Sequence, residues 1–450
     1  MRFVLECINI ENDVSLREER KDNSTGSQIF TDPLTRLNNW DGFFQNARKQ
    51  MIRQPDKDWV VIVYDIVSFK LVNDLFGEEK GDEVLLRMAE LIKSKCQPGE
   101  VCARLRGDLF ALLIYKEHYD SSYMISASKD LPNLINSSQF HLHIQGGSYI
   151  VTDKTLMISS MVDRAQLALS TIKGSNEQKM AEFDDDLMLM VLREQQIITD
   201  FTRALKEGEF RMYLQPQVSY AGEVKGAEAL VRWIREDGTV VPPSDFLDVL
   251  ERTELITELD KFMWEEAAKT LASWKGTDME QLYISINISP RDFFFVDVYN
   301  FVNELVHKYD LDKKQLKLEI TETILMQDAL KQLALVNRLH DEGFDIEIDD
   351  FGKGYSSLSL LKDINADVIK IDKEFLRETE NSKRSEDILG TVIDMSQRLS
   401  MRVITEGVET KQQLDKMIKL GCYIFQGYYF AKPMSVLEFQ TRWMDLSIEG

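Results

Sequence analysis

The sequence predicts an α/β chain in two parts, a TIM-like (β/α)8 barrel preceded by a smaller α+β domain. Three observations predict it. From residue 210 onward, eight short apolar strand patterns recur with helical patterns between them. Six of those strands end on a residue able to bind a metal ion or a phosphate, as in barrel enzymes whose chemistry sits at the strand ends. Residues 29–180 carry a second, shorter alternation of strand and helix patterns.

Composition bounds the reading. A chain of 450 residues exceeds one ordinary core, so two or three domains are expected. Its 44% hydrophobic and 29% charged residues suit a globular protein. A net charge of −22 argues against duplex nucleic acid as a partner, because phosphate backbones need a basic face. A small anionic ligand remains compatible, since bound cations reverse the local sign. Cys7, Cys96, Cys102 and Cys422 form no CxxC pair, and no signal-peptide pattern opens the chain. The expectation is a cytoplasmic protein with reduced thiols, linked to a membrane only through a region preceding this chain.

Taken in order, residues 1–28 hold a short apolar strand and a polar stretch, read as an N-terminal segment and a possible remnant of a sensory domain. The 29–180 domain reads as a helix near 43–52, a buried strand at 59–65 and an amphipathic helix at 81–93. A hairpin around Arg106-Gly107-Asp108-Leu109 and a helix at 162–172 follow. Residues 181–207 have helical spacing, with aspartates 184 to 186 suiting a helix N-terminus, and read as a connecting helix. The barrel, 208–450, has strands expected near 210–214, 224–231, 283–287, 316–320, 345–349, 368–371, 402–405 and 423–426.

At the strand ends stand Glu228, Asn287, Glu319, Asp349 and Asp350, hard oxygen donors that suit Mg²⁺ or Mn²⁺. Adjacent aspartates can serve two ions roughly 3.5–4 Å apart. Lys370 can neutralise charge or position a nucleophile, and Glu406 can take up a water proton. Each residue alone has a plainer reading. A Glu after a strand often caps a helix, Asn287 before Ser289-Pro290 makes a turn, and Lys370 with Asp372 makes a surface ion pair. The joint pattern is what favours a site.

At these residues the chain resembles the EAL family of cyclic di-GMP phosphodiesterases. The segments that carry the resemblance are Glu228-Ala229-Leu230-Val231-Arg232-Trp233, Asn287-Ile288-Ser289, Glu319-Ile320-Thr321-Glu322 and Asp349-Asp350-Phe351-Gly352. Ile369-Lys370-Ile371-Asp372, Glu406-Gly407-Val408-Glu409 and Gln426-Gly427-Tyr428 complete it. The resemblance implies metal-dependent hydrolysis of cyclic di-GMP to linear pGpG on a barrel that forms a homodimer. It implies that Glu228, Asn287, Glu319, Asp349 and Asp350 hold two ions, Mg²⁺ or Mn²⁺, and that Lys370 and Glu406 act on the water. It further implies that Gln215, Arg232 and Gln426 hold substrate and that Glu322 braces the loop after Asp350. Lys353 and Thr405 depart from the family's usual Thr and Ala.

Residues 29–180 resemble the GGDEF diguanylate cyclase domain through Asp32-Pro33-Leu34-Thr35-Arg36-Leu37-Asn38-Asn39, Asp65-Ile66-Val67-Ser68-Phe69-Lys70, Asn73-Asp74 and Gly81-Asp82. The signature itself is degenerate, Arg106-Gly107-Asp108-Leu109-Phe110, and Gln97 and Glu100 stand where the RxxD inhibitory site is expected. By this resemblance Asp65 and Asp108 are candidate metal ligands, and Asn73 and Asp82 candidate guanine contacts for GTP. Arg106 puts a long side chain where Gly lets the backbone approach a nucleotide. The expectation is a regulatory or dimerising domain without cyclase activity. A catalytically silent cyclic di-GMP receptor is the alternative reading for the whole chain.

Overall fold

The computed structural model describes residues 30–120, 142–173, 178–321, 329–351, 361–376 and 382–444. The N-terminal 1–28 segment, Glu322 and Lys353 lie outside the described residues. Two compact units divide at Leu192/Arg193.

In the first unit, β1 (Trp59–Ile66) is central because both of its faces are apolar. Trp59, Val61 and Val63 enter one core with the helices Trp40–Arg53 and Ile158–Ile172. Val60, Ile62, Tyr64 and Ile66 enter a second core with the helices Phe69–Phe76 and Glu78–Lys95. The two-residue period of a strand thus produces a sheet with helices on both faces. β2 (Val101–Arg106), β3 (Leu109–Tyr115), β4 (Ile144–Ile150) and β5 (Met180–Glu182) complete it in the order β2-β3-β1-β4-β5. β4 has no strong sequence signal because it contains Gly146 and Gly147. A Cβ on Gly147 would lie 2.0 Å from the Ala165 carbonyl oxygen, so the glycine lets the helix lie directly on the strand.

The helix Asp185–Lys206 begins where Asp184 accepts a hydrogen bond from the Leu187 amide at 2.7 Å. Its Ile197, Phe201 and Ala204 pack with Phe210, Trp233 and Phe246 of the second unit, to which they belong.

The second unit is a closed eight-stranded barrel. β6 (Phe210–Ser219), β7 (Val224–Ile234), β9 (Tyr283–Ile288), β10 (Leu316–Thr321), β11 (Ile346–Phe351), β12 (Val368–Ile371), β13 (Arg402–Thr405) and β14 (Ile424–Phe425) form its wall. Short β8 (Val240–Val241) and β15 (Met434–Ser435) pair with β7 and β6. The expectation of helices between all eight strands is corrected at the first connection. β6 turns directly into β7 through four residues with Gly222 at φ +89°, and runs antiparallel to both β7 and β14. A crossover needs a dozen residues or more, so four residues permit only a hairpin.

Along β10, Leu316, Leu318 and Ile320 join the outer core while Lys317 and Glu319 alternate with them. β11 repeats the pattern with Ile346 and Ile348 against Glu347 and Asp349. Period two therefore collects charge on the barrel's inner face.

One buried pair sits outside that interior. Asp260, on the helix Ile256–Trp274, meets Asp292, whose carboxylate accepts from the Ser289 amide and hydroxyl at 2.8 and 3.0 Å. Burial first, and then the charge of Asp292, pushes the Asp260 carboxyl well above the usual range, and burial raises Asp292 as well. Glu251 faces the pair with like charge and Lys261 with opposite charge. A raised carboxyl pKa contributes stability that is present at low pH and lost as pH rises through the folded-state value. Asp260→Asn, able to donate to Asp292, should therefore keep the fold's stability and flatten its alkaline decline. Asp260→Ala should cost about 1–3 kcal/mol by leaving a buried acceptor unpaired. Urea denaturation across pH checks both; equal losses for Asn and Ala would contradict the shared proton.

Candidate active site

The site forms where β9, β10, β11, β12 and β13 end; Glu228 differs from the strand-end expectation, standing within β7 at the last residue that pairs with β9. Parallel register aligns Glu319 with Asn287 on one side and Glu347 on the other, and Thr321 with Asp349. Lys370 stands in the middle, fully buried. Its ammonium lies 2.5 Å from Glu319 Oε1, 2.6 Å from Glu406 Oε1, 3.4 Å from Glu228 Oε2 and 3.8 Å from Asp349 Oδ1. The surface ion pair with Asp372, the plainer sequence reading of Lys370, is thereby excluded.

Burial alone would lower the Lys370 pKa, but the charges of Asp349, Glu228, Glu319 and Glu406 overcome it and hold the ammonium well above its usual range. The same burial raises the carboxyls. Glu319 is pushed well above the carboxylate range by burial and then by Glu228. Glu406 is pushed up to about 8 by burial, with Asp349 and Glu228 adding and Lys370 opposing.

Four carboxyls surround one ammonium in a region largely removed from water, and the crowding that raises Glu319 and Glu406 opposes ionising all four at once. Oxygens of Glu228, Glu319 and Glu406 lie within 4.8 Å of one another, close enough to share a cation. Glu319 Oε2 and Asp349 Oδ1 are buried without a hydrogen-bond partner. A hard divalent cation suits such orphaned oxygens and neutralises the surplus charge. Asn287 adds an amide at the rim, with Nδ2 3.4 Å from Glu228 Oε1 and its backbone carbonyl held by Trp264 Nε1 at 2.8 Å. Asp350 follows at φ +54°, a left-handed conformation that separates its direction from that of Asp349.

Of the residues expected to hold substrate, Arg232 is half-buried with its guanidinium 5.8 Å from the Tyr213 ring centre. Gln215 and Gln426 are buried. Gln426 Nε2 donates to Glu228 Oε2 and, at 3.3 Å, to Gln215 Oε1, while Gln215 donates to the Ala431 carbonyl at 3.3 Å. Sequence reasoning missed Gln217 and Tyr283, which continue this chain inward. The signal for Gln217 was present in Gln215-Pro216-Gln217, since residues two apart on a strand share a face.

In the first unit, Asp65 and Asp108 come together in a cavity of about 350 Å³ with Arg106, Gly107, Gln166 and Lys173. Lys173 Nζ lies 2.9 Å from Asp65 Oδ2. Burial and then the Asp65 charge push Asp108 up to about 6. Leu109 turns into the apolar core. Asn73 and Asp82 do not line this cavity; a Cβ on Gly81 would fall 1.9 Å from Asn73 Oδ1, so the Asn73 side chain is packed onto Gly81, and Asp82 is exposed. Glu100 is folded onto its own backbone neighbourhood, accepting from the Gln97 and Tyr115 amides.

Lys370→Met should expose the charge imbalance directly. Removing one partner of a buried ion cluster costs about 3–5 kcal/mol. Urea denaturation in chelator should show that loss, and Mn²⁺ should restore more stability to the variant than to the unaltered chain. An unchanged unfolding midpoint would mean that Lys370 does not balance these carboxylates.

The chain belongs to the EAL domain family, which it matches over residues 198–433, and residues 29–179 match the diguanylate cyclase GGDEF domain. It is 29% identical over 411 residues to MucR of Pseudomonas aeruginosa, a bifunctional diguanylate cyclase/cyclic di-GMP phosphodiesterase, covering 90% of this chain and 60% of MucR. It is 28% identical over 419 residues to the cyclic di-GMP phosphodiesterase PdeR of Escherichia coli K12, covering 92% and 63%. The solved structure of the PaMucR phosphodiesterase in complex with c-di-GMP aligns with TM-score 0.52 and 31% identity, over 54% of this chain and 99% of that one. The chain thus spans about three-fifths of the length of these curated relatives. Among the described residues, no helix is long and apolar enough to cross a membrane.

Proposed function

We propose that this chain hydrolyses cyclic di-GMP to linear pGpG with two divalent cations, Mg²⁺ or Mn²⁺, and that its GGDEF domain is degenerate and regulatory or dimerising. The observation that carries the reading is the cluster of four carboxylates around the buried Lys370 ammonium. Glu228, Asn287, Glu319, Asp349 and Asp350 would hold the cations. Bound there, the cations would supply Lewis-acid stabilisation of phosphoryl charge and a lowered water pKa.

The chain's own residues do the rest. Arg232 pairs with a phosphate and fixes the dinucleotide. Glu406 accepts the proton of the attacking water, while Lys370, 2.6 Å away, orients that carboxylate. The water oxygen bonds to phosphorus, the bond from phosphorus to the ribose 3′-oxygen breaks, and that oxygen takes up a proton. Linear pGpG leaves with its 5′-phosphate. A homodimer through the barrel belongs to the same reading by resemblance, and light scattering tests it.

Purified chain incubated with cyclic di-GMP and Mn²⁺ should yield pGpG by chromatography, while Ca²⁺, larger and less strict in geometry, should inhibit. Intact dinucleotide that nevertheless binds would favour the silent receptor. Glu228→Ala and Glu406→Ala should each abolish turnover, yet by calorimetry only the first should lose metal. Equal loss of metal would make Glu406 a ligand instead of the proton acceptor.

For the first unit, the reading is supported by Arg106 at the signature turn and by the Lys173 ammonium on Asp65. Labelled GTP supplied to the Glu228→Ala chain should give no labelled cyclic di-GMP. GTP bound there would act as a regulatory input. A hydrolysis rate that stays constant across millimolar GTP would remove that role.

A further inference from the structure

A buried chain of hydrogen bonds leads from the barrel's inner wall to Glu228. Tyr283 Oη donates to Gln217 Oε1 at 2.6 Å, and Gln217 Nε2 donates to Gln426 Oε1 at 3.0 Å. Gln426 Nε2 then donates to Glu228 Oε2. All four side chains are enclosed, and Gln217 is wholly so.

The direction of this chain follows from its ends. Gln426 turns its NH₂ toward Glu228 Oε2 and toward Gln215 Oε1, both of which accept. Its oxygen then needs a donor, which Gln217 supplies with its own NH₂. The Gln217 oxygen in turn needs a donor, and the Tyr283 phenol supplies it. Burial, with Glu347 adding, keeps that phenol protonated. Each amide has two possible orientations; the Tyr283 hydroxyl selects that of Gln217, and Gln217 together with Gln215, which is anchored on the Ala431 carbonyl, selects that of Gln426.

The surroundings show that the tyrosine is fitted to its place. β7 pairs with β9 so that Gly226 lies beside Tyr283. A Cβ on Gly226 would fall 2.5 Å from two ring carbons and 2.6 Å from the Tyr283 carbonyl oxygen. On the same ring, Lys317 Nζ lies 3.4 Å from the centre. Glycine and lysine together hold the phenol at one position.

We propose that Tyr283 and Gln217 are positioning residues that act through Gln426 to orient the Glu228 carboxylate for its cation. The proposal rests on the phosphodiesterase reading for the role of Glu228, but the relay itself is measurable without turnover.

The test is a double-mutant cycle in the full chain between Tyr283→Phe and Glu228→Gln, read by urea denaturation in chelator. Glu228→Gln removes the charged acceptor at the end of the chain, so the strengthening that runs from the Tyr283 hydroxyl to that acceptor is lost even though Gln215 still holds the Gln426 amide. Tyr283→Phe should therefore lower the folding equilibrium constant at least threefold more when Glu228 is intact than in the Glu228→Gln background. A merely structural hydroxyl would cost the same in both, and equal costs overturn the proposal. A second readout is calorimetric Mn²⁺ binding without nucleotide, where Tyr283→Phe should weaken affinity about tenfold and leave kcat at saturating metal within threefold. Unchanged metal affinity would overturn the positioning role. Coupling in the cycle from a chain that leaves cyclic di-GMP intact would sustain the relay and reject the phosphodiesterase reading.

Discussion

The charge balance at Lys370 is the constraint on which the rest of the barrel depends. An ammonium with no exposure is tolerable only where carboxylates surround it, and those carboxylates are tolerable only around a cation. A second cluster runs from buried Lys317 and Glu347 out to exposed Arg402. There Lys317 and Arg402 face Glu347 and Asp345, two cations against two anions, with Lys317 3.1 Å from Glu347. That tier is balanced by its own residues. The Lys370 tier sets four acids against one base, an imbalance that the fold maintains without resolving internally.

The first unit shows a milder form of the same arrangement. Asp65 and Asp108 also approach each other closely enough to raise one pKa, but Lys173 reaches Asp65 from its own chain. Two acids against one base leave one negative charge, less than a pair of divalent cations would need. Arg106 brings a further cation to the same cavity. The charges of this pocket are thus met largely by the chain's own side chains.

Much of this was legible in the sequence, for reasons specific to the elements. The ends of β10, β11 and β12 could be read because apolar residues flank Glu319, Asp349 and Lys370 within strands of four to six residues. The strand β1 could be read because its first six residues, Trp59 to Tyr64, are an unbroken apolar run. β4 could not, since the glycines that let a helix approach also erase the strand pattern. The antiparallel course of β6 was available from the four residues between Ser219 and Val224, too few for a crossover. The Asp260–Asp292 pair could not be read, because its members lie on separate helices and only the fold brings them together.

The antiparallel strand has a consequence for the site as well as for topology. β6 closes the barrel between β7 and β14, and its inner-face glutamines reach Tyr283 of β9 and residues just after β14. Gln215 bonds to Gln426 and Ala431, and Gln217 bonds to Gln426 and Tyr283. A seam of apolar side chains would close the barrel equally well by burial alone, but it would place no directional demand on its neighbours. Amides do, because each must offer its oxygen and its nitrogen to the correct partner. The seam therefore transmits an orientation to Glu228, and an error in closing the wall is also an error in the geometry of a proposed metal ligand.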